Sequence, residues 1–98
     1  MDLASVTQKV AEKAANASEN LGSSVKFDLR ENGVVYLNGS NNEVSNENND
    51  ADCTVSMDLE DFNAMLDGEI NPMSAFMGGK MQIDGDMSVA MKMSSLFS

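Results

Sequence analysis

Eight of the nine methionines in this 98-residue chain fall between residues 57 and 93, and the chain holds one cysteine and no histidine. A thioether on an unbranched stem re-packs around guests of different shape, whereas a Leu/Ile core holds one shape. The second half of the chain can therefore build a pliable apolar wall but offers few reactive groups, which points to binding of an apolar ligand and away from catalysis. At this length one hydrophobic core has to carry residues 1–98 as a single domain. Cys53 has no second thiol to pair with, so a reducing cytoplasm is the expected compartment.

The net charge is -10, and beyond Arg30 the only cations are Lys80 and Lys92. Such a surface repels phosphate backbones and anionic membranes at long range, which argues against nucleic acid as a partner. No apolar run is long enough to cross a bilayer, so stable membrane insertion is not expected. The first ten residues include Asp2, Gln8 and Lys9 and do not read as a secretion signal. The last three, Leu96, Phe97 and Ser98, spell no peroxisomal or retention address.

Leu3, Val6, Val10 and Ala14 recur at helical spacing, with Asp2 as N-cap and Gly22 as a stop beyond the end. Val25, Phe27 and Leu29 then alternate with polar residues as a half-buried strand. Asn32-Gly33 predicts a two-residue type I′ turn into a partner strand from Val34 to Leu37. In residues 40–50 only Val44 is apolar, which leaves a loop with at most a short edge strand. Asn46, Asn48 and Asp50 have the alternating oxygens of a calcium loop, but Ala51 stands where glycine must turn and Met57 where a glutamate must close the cage, so a solvated turn is the better reading.

Cys53, Val55 and Met57 form the inward face of another strand. Asp58 is placed as the N-cap of a helix whose stripe is Leu59, Phe62, Met65 and Leu66. Asn71-Pro72 opens a short helix that ends at Gly78-Gly79, Met81 and Ile83 mark a last strand, and Gly85 breaks it. In the final helix, from Asp86 to about Phe97, Ser88, Lys92 and Ser95 cover only about 60° of the wheel, while apolar residues spread over more than half of it. Either this helix is buried from two sides, or one flank packs on the sheet and the other lines a ligand space.

Residues 51–97 resemble the C-terminal half of the sterol carrier protein type 2 family. The resemblance rests on Ala51-Asp52-Cys53-Thr54, Asp61-Phe62, Asn71-Pro72 with Ala75-Phe76, Gly79-Lys80, Ile83, Gly85-Asp86-Met87 and Ala90-Met91-Lys92. It covers about half the chain; residues 24–40 match only in the pattern of strands and residues 1–20 only as a helix. It implies an α+β fold with a mixed, mainly antiparallel five-stranded sheet, helices on one face, and a hydrophobic tunnel that carries sterols, fatty acids or related long-chain lipids with no chemistry of its own. The residues alone order the elements as α-β-β-β-β-α-α-β-α. The chain departs from the family at Glu69 and Gln82, positions that are often basic there, which weighs against an acyl-CoA headgroup.

On this reading the tunnel wall is Phe62, Met65 and Leu66 from the second helix, Phe76 and Met77 from the third, Met81 from the last strand, and Met87, Met91, Leu96 and Phe97 from the final helix. Each position is equally compatible with ordinary core packing. Catalysis is not expected. No histidine is available to activate a nucleophile, and Asp58, Glu60 and Asp61 are accounted for by the helix N-terminus they occupy. No cofactor or metal is expected either: Met73, Met77 and Met81 step by four residues as soft Cu(I) ligands could, but Gly78-Gly79 interrupts them. The alternative is an interaction module that docks the apolar final helix into a partner, whereas a lipid carrier should be monomeric.

Overall fold

The computed structural model describes residues 2–16 and 22–97, with side chains through residue 93. Helix α1 (Leu3–Asn16) presents Val6, Val10 and Ala14 as its buried stripe. Asp2 and Ser5 cap it reciprocally: the Ser5 amide donates to Asp2 Oδ1 at 2.9 Å and the Asp2 amide to Ser5 Oγ at 3.1 Å. The stop expected at Gly22 depends on residues 17–21, which lie outside the described residues.

Strands β1 (Val25–Asp28), β2 (Val34–Asn38), β3 (Glu43–Ser45), β4 (Cys53–Met57) and β5 (Met81–Gly85) form one sheet in the order β3-β2-β1-β4-β5. The β1–β4 pair is parallel and the other three are antiparallel. Alternation sends Val25, Phe27, Val35, Leu37, Cys53, Val55, Met57 and Met81 to one buried face, while Lys26, Tyr36, Thr54 and Ser56 on the other are only partly covered. Helices α1, α2 (Leu59–Leu66) and α4 (Met87–Phe97) close over the buried face, and α3 (Pro72–Met77) lies against β5 and α4.

Two local expectations need correction. The β1–β2 connection is not a two-residue type I′ turn but a 3-10 turn over Arg30–Asn32, in which Arg30 (φ 60°) and Gly33 (φ 115°) take the left-handed positions. Leu29 drives this, because its side chain is fully buried and its amide donates to the Gly33 carbonyl at 2.9 Å. Asp58 occupies the N-cap position of α2 but makes no capping bond; its carboxylate pairs with Arg30 Nε at 2.8 Å instead. In the Asn-rich loop, the Asn46 amide donates to Thr7 Oγ1 and the Val34 carbonyl, and Lys26 Nζ donates to Asn48 Oδ1, so these side chains tie the loop to α1 and the sheet.

Candidate functional site

Apolar side chains of α3, β5 and α4 line a cleft of about 120 Å³. Pro72, Met73 and Phe76 come from α3, Met81 and Ile83 from β5, and Met87, Ala90 and Met91 from α4, so no lining residue carries a charge. The space expected as an enclosed tunnel is, among the described residues, a half-open cleft. Its floor is the buried Pro72, Met81 and Ala90. Its rim is Met73, Phe76, Met87 and Met91, exposed by 53%, 39%, 47% and 64%.

Each wall is placed by local chemistry. Asn71 Oδ1 accepts from the Met73 amide at 2.8 Å and Pro72 fills the first helical position, which starts α3 where Met73 and Phe76 share a face. The α3 helix ends as Gly79 takes φ 79° and the Lys80 amide returns to the Ala75 carbonyl at 2.9 Å. Gly85 turns the chain from β5 into α4 at φ 110°, so close that a Cβ there would sit 2.5 Å from the Asp52 carbonyl oxygen. The Asp86 amide donates to that same oxygen at 3.0 Å.

Asp86 in turn caps α4, accepting from the Ser88 amide at 2.9 Å and Ser88 Oγ at 2.6 Å. The Ser88 hydroxyl, then its amide, hold the Asp86 carboxyl below its ordinary value. Beyond this cap the broad apolar girth of α4 divides. Val89, Ala90 and Met93 are buried toward the sheet, while Met87 and Met91, four residues apart and so on one flank of the helix, stay exposed along the cleft.

Of the ten residues expected to form a wall, Phe76, Met81, Met87 and Met91 are brought together here. Phe62, Met65 and Leu66 are instead buried in the core between α2 and the sheet, where the Phe62 ring lies 4.8 Å from that of Phe27. Met77 is 79% exposed and is not among the lining residues. Leu96 and Phe97 belong to the backbone of α4, and their side chains lie outside the described residues. Four lining residues were not anticipated. Ile83 is two residues from Met81 on the same strand face and Ala90 three from Met87 on the same helix, so periodicity carried a signal for both. Met73 sits one turn before Phe76, and Pro72 reads as a cap residue before it reads as a surface.

Cys53 is buried beneath the sheet, and burial, with Asp86 and Asp84 nearby, pushes its thiol pKa up. It is a core side chain with little thiolate character. Among the described residues, no group of three or more His, Cys, Asp or Glu is arranged to hold a metal ion, and no helix is long and apolar enough to cross a membrane.

A mixed five-stranded sheet with helices on one face is the architecture that the sequence resemblance implied, and a half-open apolar cleft at the β5 edge stands where it implied a tunnel. The model of the SCP-2 sterol transfer family matches residues 3–98, and the chain belongs to that family. Over 63 residues it is 43% identical to sterol carrier protein 2 of Homo sapiens, a match covering 64% of this chain and 12% of that protein. The chain thus spans only a small part of the length of that curated relative. Among solved structures, the sterol carrier protein domain 2 of Helicoverpa armigera is similar at a TM-score of 0.77 and 27% identity, over 94% of this chain and 82% of that one. Sterol carrier protein 2 of Aedes aegypti, solved in complex with the C16 fatty acid palmitate, has the same fold at a TM-score of 0.76 and 20% identity, over 100% of this chain and 97% of that one.

Proposed function

We propose that this chain is a non-catalytic lipid-binding domain that holds the acyl chain of a fatty acid, or a comparable sterol or long-chain lipid, against α3, β5 and α4 and transfers it between sites. The observation that carries this reading is the cleft, whose eight lining residues are uncharged and whose rim is mostly methionine. Monomeric soluble proteins rarely leave such a contiguous apolar concavity without a use. The palmitate held by the Aedes aegypti protein of the same fold supports an acyl chain as the guest. Phe76, Met81, Met87 and Met91 are proposed as direct contacts. Phe62, Met65 and Leu66 belong to the packed core behind them.

A ligand that binds only the folded state stabilises it by about 2.7 kcal/mol at a hundredfold excess over Kd. For a domain of this size that is a rise in Tm of order ten degrees. Melting the protein with and without saturating palmitate should show that rise, and a midpoint that does not move rejects the proposal.

A further inference from the structure

The described methionines divide sharply by exposure, and the division falls on the cleft. Met57, Met65 and Met93 are fully buried and Met81 is 3% exposed, whereas Met73, Met77, Met87 and Met91 are between 47% and 79% exposed. Three of the exposed four line the cleft, and Met77 stands outside it. Cys53, the residue that ordinarily meets an oxidant first, is buried with its thiol pKa raised. A peroxide reaching this protein therefore finds thioethers on the cleft rim before it finds a thiolate.

We propose that Met73, Met87 and Met91 form a reversible oxidation site that switches the cleft from lipid-retaining to lipid-releasing. The inference rests on the lipid-binding reading above and adds a means of regulating it. The thioether sulfur gives a lone pair to one oxygen of a hydroperoxide, an S–O bond forms as the O–O bond breaks, and the other oxygen leaves as water or an alcohol. Sulfur is oxidised by two electrons and the peroxide reduced by two. The product is a polar, chiral sulfoxide in place of a flexible apolar tip, and methionine sulfoxide reductases restore it at the expense of a dithiol. Each sulfoxide places a strong acceptor on a wall that offers no side-chain donor to meet it, so an acyl chain laid over that wall strands the acceptor or leaves. Met77 provides an internal control, being the most exposed of the set but not part of the wall.

The experiment is hydrogen peroxide treatment of the whole chain, peptide mapping of sulfoxides by mass spectrometry, and palmitate titration before and after. Sulfoxides should accumulate at Met73, Met77, Met87 and Met91 ahead of Met57, Met65, Met81 and Met93, and the palmitate Kd should rise roughly tenfold or more. Reduction by methionine sulfoxide reductases of both stereospecificities should bring it back. In Met73→Leu/Met87→Leu/Met91→Leu the ratio of treated to untreated Kd should fall close to one, whereas in Met77→Leu it should match that of the unmodified sequence. An unchanged Kd in protein mapped as oxidised at the three rim positions overturns the proposal, as does oxidation that begins at the buried four. Failure of the untreated protein to take palmitate overturns the lipid-binding reading instead, and is seen before any oxidant is added.

Discussion

Lengthening a fatty acid one methylene at a time asks whether the cleft has fixed or yielding walls. The described space is about 120 Å³, a little below the ~150 Å³ cavity that holds one benzene. With its walls fixed it would shelter roughly six carbons, and at ~0.8 kcal/mol per methylene that supplies about 5 kcal/mol. Such a value lies between the ~4 kcal/mol of millimolar and the ~8 kcal/mol of micromolar binding, before any ordering cost is subtracted. A carrier with a useful grip must bury about ten methylenes or more, so the methionine rim has to move aside. We expect calorimetric titration with straight-chain acids, below their aggregation thresholds, to show affinity rising about fourfold per added methylene well past eight carbons. A plateau at six to eight carbons would refute the yielding wall and leave a rigid notch for small apolar groups.

The remaining predictions concern the frame that holds this wall. Phe62→Ala empties a fully buried ring site packed at a tilt against Phe27 and should lower the unfolding free energy by about 3–5 kcal/mol in urea titrations. Gly39→Ala drives a Cβ into the backbone of Ser23 and should cost about 3 kcal/mol or more, seen as a lowered denaturation midpoint or loss of soluble protein. Burial raises the Cys53 pKa in the folded state, so its contribution is fully present below the ordinary thiol value. As pH rises above that value the unfolded thiol ionises first, the folded state holds more protons, and stability falls until the folded pKa is passed. Stability curves of the native sequence and Cys53→Ala, measured from pH 7 to about 10.5, should therefore run parallel near neutral pH, offset by the lost packing of a buried side chain, and the gap should narrow only at the alkaline end.

The order of elements was legible because each depends on neighbours in sequence. The stripe Val6, Val10, Ala14, the alternation in β1, β2 and β4, and the Asn71-Pro72 helix start all fix backbone conformation locally. The parallel pairing of β1 with β4 is different in kind, since Val25↔Cys53 and Phe27↔Val55 join segments whose own periodicity does not name a partner. That same gap separates the wall expected from the wall found. Phe62, Met65 and Leu66 repeat as Met87, Ala90 and Met91 do, and periodicity says that a face is covered but not by what. The type I′ turn failed because Leu29, read as an ordinary strand residue, is held in the core and pulls the turn one step earlier.

Which wall yields can be argued from what holds each one. The sheet side of the molecule is set by Val25, Val35 and Val55, with Val6 and Val10 of α1 packed in the same core, all fully buried, and β-branched side chains are stiff at χ1. The α4 helix is pinned to that side by Val89, Ala90 and Met93, with Asp86 capping its start. The six-residue α3 has only Pro72 and Ala75 buried, and two glycines follow it. Segments with few buried apolar contacts open at the lowest free energy, so α3 is the wall that swings as an acyl chain enters. Amide hydrogen exchange should then show α3 among the least protected helices of the free protein, and saturating palmitate should slow exchange there more than in α1 or β4. Slowing confined to α4, with α3 unchanged, would place the moving wall on the helix that the packing says is fixed.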